Sequence, residues 1–204
     1  PLDGVFLTAD LCPSRRPLDR ALFIRTAALS ERLGRPVPIA VCISGGWMRS
    51  HPEDLAWLAA LARAGNLDVT WVNHSDTHPY HPGRDPAENF LLSPGVDFRK
   101  EVLNTEVLMI ENGLTPSPFF RFPGLVSDAR LVGELRRLSL IPVGSNAWLA
   151  KGERPVDGSI ILVHGNGNEP EGIARLFELY DRWFGIPTAE HRPLLPLARA
   201  IAAE

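Results

Sequence analysis

The chain has 204 residues, 45% of them hydrophobic and 22% charged, which is typical of a globular protein that can bury a sizeable core. A net charge of -3 excludes a basic field for nucleic acid or for an anionic membrane surface. No apolar run approaches the length of a membrane span, so we expect no transmembrane segment.

A single domain covering residues 1–204 is expected, because no linker or internal repeat divides the chain. The sequence begins at Pro1 instead of a methionine and shows no signal peptide, so we expect a processed or trimmed N-terminus. The composition leaves the oligomeric state open.

Strands and helices alternate in the first half of the chain. Strands are predicted at residues 4–9, 37–43 and 67–72, and helices at residues 18–33 and 52–63. The β-branched run 37–43 favours a strand that is buried on both faces, as in a parallel sheet. Gly34 is expected to end the first helix, and Ser50 is expected to cap the second.

The same alternation continues in the second half, after a loop rich in proline and glycine at residues 80–95. Helices are predicted at residues 96–112, 128–138, 170–184 and 196–204, and strands at residues 119–120, 140–143 and 159–163. Ser127 is expected to cap the helix at 128–138. Alternating strands and helices predict an α/β fold with a parallel sheet, either open or closed as a barrel.

Polar side chains follow almost every predicted strand. They are Asp10, His74, His78, Arg121, Asn146 and His164. Because the carboxyl ends of parallel strands meet at one edge of a sheet or one mouth of a barrel, we expect these side chains to share one cavity.

His74 and His78 are the most informative pair among them. Histidines four residues apart on one turn can bind a single metal ion from the same side. A polar turn with two solvated histidines is the alternative interpretation of an isolated pair.

The chain has two cysteines, Cys12 and Cys42, at or near the ends of strands expected to be neighbours. They could form a disulfide in an oxidising compartment, or they could be two buried free thiols.

Four segments, each at a strand end, resemble in order the motifs of the polysaccharide deacetylases of carbohydrate esterase family four. They are Thr-Ala-Asp-Leu-Cys-Pro at residues 8–13, His-Ser-Asp-Thr-His at 74–78, Phe-Phe-Arg-Phe-Pro-Gly at 119–124 and Leu-Val-His at 162–164. The corresponding family patterns are Thr-Phe-Asp-Asp-Gly-Pro, His-Ser/Thr-x-x-His, Arg-x-Pro after aromatic residues, and Leu-x-His. The match runs from Val5 to about His164.

The resemblance implies a distorted (β/α) barrel with parallel strands and a hydrolase that removes acetyl groups from an N-acetylated (or O-acetylated) polysaccharide. By motif position, Asp10 would be the base, Arg121 would orient it, and His164 would be the acid. His74 and His78 would be ligands of a divalent metal, with zinc favoured.

The resemblance also favours a periplasmic or extracellular location. Two aromatic residues near the motifs, Trp148 and Phe122, are candidates for binding the glycan. For Trp148, a place in the hydrophobic core is the alternative.

The chain departs from the family pattern at the metal site. Leu11 replaces the aspartate that is the third metal ligand in the family, and Cys12 replaces the following glycine. Asp10 could move from base to ligand, Cys12 could supply a thiolate, or the site could bind metal weakly or not at all.

A second departure concerns Arg121. The family motif Asp-x-x-Asp-Trp corresponds here to Gly-Ser-Asn-Ala-Trp at residues 144–148, so the aspartate that would steady Arg121 is absent. These departures motivate two alternatives to a deacetylase, namely a catalytically silent relative that binds a glycan or a partner, and a hydrolase of other non-peptide carbon–nitrogen bonds.

Overall fold

The computed structural model describes residues 2–185 and 190–201 as a curled parallel sheet with helices packed around it. The strands are β1 (Phe6–Leu11), β2 (Val37–Ile43), β3 (Leu67–Asn73), β4 (Pro116–Phe120), β5 (Ile141–Pro142), β6 (Ala147–Trp148) and β7 (Ile160–His164). Their order in the sheet is β5-β4-β3-β2-β1-β7-β6, and every pairing is parallel. The predicted distorted (β/α) barrel is therefore confirmed.

Among the described residues, six α-helices connect or flank these strands. They are α1 (Arg20–Leu33), α2 (Gly45–Ser50), α3 (Pro52–Arg63), α4 (Phe98–Glu111), α5 (Ala129–Arg137) and α6 (Pro170–Phe184). In the described part of the chain, no helix is long and apolar enough to cross a membrane.

Strands β1 and β2 are buried on both faces, and the alternation of side chains along a strand decides which face each residue contacts. Leu7, Ala9 and Leu11 of β1 belong to the main core, with residues of α1, α3 and α6. Phe6 belongs instead to the core on the other face, inside the curl of the sheet. This alternation places Asp10 inside the curl and Leu11 against the helices.

Two glycines begin a helix that the sequence did not predict. Ser44 accepts a hydrogen bond from the backbone N–H of Trp47 and so caps α2, which starts at Gly45. A Cβ at Gly45 would collide with the side chain of Asp76, so the close approach of the histidine loop requires glycine there. The prediction that Ser50 caps the next helix is wrong, because Ser50 is the last residue of α2.

Smaller differences concern the ends of elements. Asp128, and not Ser127, caps α5 by accepting from the N–H of Leu131. The loop 80–95 contains two short 3-10 helices, Pro86–Glu88 and Phe90–Leu92. The tail forms a 3-10 helix at Leu197–Ala200 instead of an α-helix, and residues 202–204 lie outside the described residues.

Candidate active site

The strand ends bring most of the predicted site residues to one cavity of about 360 Å³. Among the residues that line it are Asp10, Cys12, His74, His78, Trp148 and His164. Asp10 lies directly opposite His164 in the β1–β7 register, so these two side chains are neighbours by backbone pairing alone. The predicted convergence of the strand ends is therefore seen for these residues.

Asn146 does not join them, which corrects the prediction that it ends a strand. It precedes β6, and its side chain accepts a hydrogen bond from the N–H of Ile160, the first residue of β7. Asn146 therefore lies toward the amino end of the neighbouring strand, away from the cavity.

Arg121 lies buried beside Asp10, with no measurable exposure of its side chain. Its Nη1 donates to both carboxylate oxygens of Asp10, at 3.2 Å and 3.4 Å. Its Nη2 donates to the hydroxyl of Thr8 at 3.0 Å and to the carbonyl of Gly144 at 3.1 Å. Thr8 and a main-chain carbonyl thus hold the guanidinium in place of the missing aspartate of the family motif.

The charge state of Asp10 is set by this pairing. Burial alone would raise the pKa of Asp10, but the charge of Arg121 outweighs it. The pKa therefore lies below its ordinary value of 3.8, and Asp10 is an ionised carboxylate at neutral pH.

The hydrogen bonds of His74 fix its tautomer. Its Nδ1 lies 2.8 Å from the backbone carbonyl of Arg121, and a carbonyl can only accept, so Nδ1 carries the proton. The neutral ring therefore presents the lone pair of Nε2 toward Cys12 Sγ at 3.4 Å and Asp10 Oδ2 at 3.8 Å. A backbone partner on the far nitrogen is the usual arrangement of a metal-binding histidine.

His78 has a backbone φ of 48°, which is unusual for a residue with a side chain. Its ring lies 4.8 Å from that of His74, and its buried Nε2 has no hydrogen-bond partner among the described residues. Burial and the adjacent His74 lower the pKa of His78 to about 3, so the ring is neutral. A neutral imidazole with an unpaired buried nitrogen is suited to binding a metal ion.

Glu101 of α4 organises the loop between the two histidines. Its carboxylate accepts hydrogen bonds from the backbone N–H groups of Asp76 and Thr77 at 3.0 Å and 2.8 Å. It also accepts from the hydroxyl of Thr77 at 2.6 Å. The sequence does not predict this role, since an acidic residue in the first turn of a helix is common without any function.

Cys12 completes a group of three possible metal ligands. One ligand atom from each of Cys12, His74 and His78 lies within 4.8 Å of the others. Cys12 and Cys42 are both free thiols, so no disulfide links them. Burial, and then the charge of Asp10, raises the pKa of Cys12, which makes it a neutral thiol without a metal. Two imidazoles and a sulfur are a donor set that fits a divalent ion such as zinc.

His164 forms an ion pair that the sequence did not reveal. Its Nδ1 donates to Glu169 Oε2 at 2.8 Å, and the same oxygen accepts from the indole N–H of Trp148 at 2.8 Å. Burial lowers the pKa of His164, but the Glu169 hydrogen bond and the charge of Asp10 outweigh it and raise the pKa above its ordinary value.

The two predicted glycan-binding aromatics have different surroundings. Trp148 lies at the cavity, with its ring 5.6 Å from that of His164. Phe122 is buried and packs against Phe98 and Phe120, with ring centroids 6.1 Å and 5.0 Å away. Phe122 is not among the described residues that line the cavity, so its proposed contact with substrate is replaced by a place in the core.

Tyr80 and Phe90 supply an aromatic wall that the sequence did not predict. Their rings stack at 5.4 Å, both residues line the cavity, and Tyr80 is 58% exposed. Phe90 lies over Gly124, where a Cβ would collide with its ring. The cavity therefore combines polar groups at its floor with aromatic faces near solvent, which is common in sites that bind sugars and other polar ring compounds.

No protein-family model matches the sequence, whereas solved structures share its fold. A family 4 carbohydrate esterase from Bacillus anthracis has a TM-score of 0.69 at 15% identity, over 100% of this chain and 87% of that chain. A peptidoglycan deacetylase from Bacillus subtilis has a TM-score of 0.64 at 13% identity, over 98% and 91%. A family 4 pseudoenzyme from Bacillus anthracis has a TM-score of 0.63 at 12% identity, over 98% and 66%. The fold of this chain is that of the family 4 carbohydrate esterases, so the resemblance seen in the motifs is confirmed at the level of the fold.

Proposed function

We propose that this chain is a divergent member of carbohydrate esterase family four that hydrolyses acetyl groups on a polysaccharide. The observation that supports this most strongly is the meeting of three groups around one cavity. They are the Asp10–Arg121 ion pair, the His74–His78 pair and the His164–Glu169 pair. These are the parts that hydrolysis of an acetyl amide needs: a base, a metal site and an acid.

The base side of the reaction follows from the ionised state of Asp10. Its carboxylate can accept the proton of an attacking water, while Arg121 keeps it charged and fixed in orientation. His74 and His78 would hold a divalent ion, zinc being the natural choice for imidazole ligands. When bound, such an ion supplies Lewis acidity toward water and the acetyl oxygen.

The acid side follows from the ion pair of His164. Glu169 occupies Nδ1 and favours the protonated ring, so Nε2 is the nitrogen that would deliver a proton to the departing amine. Glu169 also fixes the indole of Trp148 beside the same ring. The aromatic wall of Tyr80 and Phe90 would then contact a sugar ring of the substrate.

The location proposed for the protein is periplasmic or extracellular. This proposal rests on the family resemblance and on the proposed polysaccharide substrate. Cell fractionation of the native host would test it.

A catalytically silent glycan-binding relative is the second candidate. Leu11 faces the helix-packed core and offers no ligand, and the fold is shared with a structure described as a pseudoenzyme. Such a protein would bind acetylated oligosaccharides without releasing acetate.

Acetate release is the measurement that separates these candidates. We expect zinc-loaded protein to release acetate from N-acetylglucosamine oligomers, peptidoglycan or O-acetylated xylan. Dialysis against a chelator should reduce the rate to background, and added zinc should restore it. No release from any of these substrates, together with binding to one of them, would support the silent relative. Release of products from cyclic imides or ureides would support the hydrolase of other carbon–nitrogen bonds.

The pH profile provides a separate prediction. For wild type we expect kcat/KM to need an ionised Asp10 and a protonated His164, with an alkaline limb above the ordinary pKa of histidine. Glu169→Gln removes a charge that stabilises the imidazolium, so the pKa of His164 falls. The alkaline limb should therefore move to lower pH, while the acidic limb stays in place.

Glu171→Gln is the matched control for this change, because Glu171 is exposed on the first turn of α6, two residues away. Its profile should match that of wild type. An unshifted alkaline limb in Glu169→Gln would show that His164 is not the acid.

A further inference from the structure

The position that normally completes the metal site is turned away from it. Leu11 lies in the main core, and its side chain approaches Gly165 beside Leu22 and Phe23 of α1. A leucine there binds no metal, and the alternation of β1 directs it away from Asp10 and the cavity. Any third protein ligand must therefore come from another residue of the chain.

We propose that the thiolate of Cys12 is this third ligand, which makes the site a His-His-Cys centre selective for thiophilic ions such as Zn²⁺ and Co²⁺. The inference deepens the proposed function and rests on its metal centre. It differs from the three oxygen and nitrogen ligands that the motif resemblance implies.

The arrangement of the three ligand atoms supports this assignment. Cys12 Sγ lies 3.4 Å from His74 Nε2, the nitrogen that the bond from Nδ1 to the Arg121 carbonyl leaves free. His78 Nε2 is buried and has no partner among the described residues. A buried polar atom without a hydrogen-bond partner destabilises the folded protein, and coordination of a metal ion would give this nitrogen a partner.

The backbone holds Cys12 at this place. It follows Asp10 by two residues, and its carbonyl accepts a hydrogen bond from the side chain of the buried Asn166 at 3.0 Å. Cys12 also lines the cavity together with the two histidines. The backbone of Cys12 is therefore positioned by the loop after β7 as well as by strand β1, which ends one residue earlier.

Asp10 is the competing candidate for the third position, but its carboxylate is not part of the group of ligand atoms that lie within 4.8 Å of one another, which Cys12, His74 and His78 form. The carboxylate pairs instead with Arg121, and its Oδ2 lies 3.8 Å from His74 Nε2. Cys12 as ligand leaves Asp10 free to act as the base, whereas Asp10 as ligand would leave that role vacant. The geometry thus favours Cys12 as the third metal ligand and Asp10 as the base.

A sulfur ligand has a predictable effect on metal choice. Thiolate is a soft ligand that suits Zn²⁺ and Co²⁺, whereas Mg²⁺, Ca²⁺ and Mn²⁺ prefer oxygen ligands. Cys12→Asp restores an oxygen ligand at the site, so zinc affinity should fall more than ~10-fold and relative affinity for Mn²⁺ should rise.

Spectroscopy of the metal-loaded protein tests the sulfur ligand without any substrate. Co²⁺-loaded wild type should show a sulfur-to-cobalt charge-transfer band in the ultraviolet. X-ray absorption of the Zn²⁺ form should show one sulfur at about 2.3 Å beside nitrogen or oxygen ligands at about 2.0–2.1 Å. Both signatures should disappear in Cys12→Ser and persist in Cys42→Ala, since Cys42 is the other free thiol of the chain.

The outcomes separate this inference from the proposed function. Zinc bound only by nitrogen and oxygen, or no zinc bound at all, would overturn the Cys12 assignment, whatever the activity. A sulfur signature in protein that releases no acetate would support the centre and count against the deacetylase. Thermal unfolding of each variant without metal confirms that it is folded before these comparisons are made.

Discussion

His74→Ala should reduce acetate release more than ~100-fold, because the loss of a ligand exceeds the 10- to 100-fold cost typical of losing only a hydrogen-bond partner of a ligand. His74 shares the site with Cys12 and His78, and its Nδ1 is already committed to the carbonyl of Arg121. Alanine removes the metal-binding nitrogen and leaves that buried carbonyl without its partner. Stoichiometric zinc binding should be lost together with activity.

His81→Ala is the matched control for this variant. His81 lies in the loop after the pair, its side chain is exposed, and only its backbone bonds to Asn89. Acetate release and zinc content should stay at the wild-type level. A His74→Ala protein that is folded and still releases acetate at the wild-type rate would end the case for a metal-dependent hydrolase.

The parts of the fold that the sequence predicted well are those with strong local patterns. The strand at 37–43 and the helices at 52–63 and 170–184 have the predicted bounds. A continuous apolar run rich in β-branched residues predicts a strand that is buried on both faces. An amphipathic repeat predicts a helix with one buried face. Strands β5 and β6 have two residues each, which is too short for any periodicity to predict their bounds.

The positions of Asp10 and His164 could also be predicted, because strand ends in a parallel sheet meet at one edge whatever the loops do. Arg121 was also predicted as the partner of Asp10, but the groups that hold Arg121 and the pairing of His164 with Glu169 could not be predicted. Arg121 is held by Thr8 and by the carbonyl of Gly144, 113 and 23 residues away along the chain. The sequence does not show which main-chain carbonyl will accept a hydrogen bond. The missing aspartate therefore suggested that Arg121 had lost its partner, whereas the Gly144 carbonyl takes the place of that aspartate.

The role of Cys12 illustrates the same limit. The sequence left three outcomes open for the site that lost its aspartate: Asp10 as ligand, Cys12 as ligand, or weak or no metal binding. Both side chains line the cavity, and their positions there depend on the pairing of β1 with β7 and on the Asn166 bond to the Cys12 carbonyl. Neither contact has a local signature, so the alternatives could be weighed only with the strands in register.

Arg121→Met is expected to lower the free energy of unfolding by about 3–5 kcal/mol at neutral pH, since it leaves the buried Asp10 without a counter-charge. In wild type the lowered pKa of Asp10 contributes stability above its unfolded-state value, and this contribution is lost as the pH falls. In the variant, burial acts without Arg121 and raises the pKa of Asp10, so the folded protein binds a proton more readily than the unfolded chain. The deficit relative to wild type should therefore shrink as the pH is lowered, which urea denaturation at neutral and at mildly acidic pH would measure.

Arg130→Met provides the comparison that isolates burial. Arg130 pairs with Glu134 at 2.9 Å on α5, a distance as short as any in the Asp10 pair, but its side chain is 58% exposed. We expect a loss of no more than about 0.5 kcal/mol, with little dependence on pH. Equal losses in the two variants would mean that the buried Asp10–Arg121 pair contributes no more to stability than an exposed ion pair. In that case the ionised state of Asp10, on which its role as base depends, would need another source.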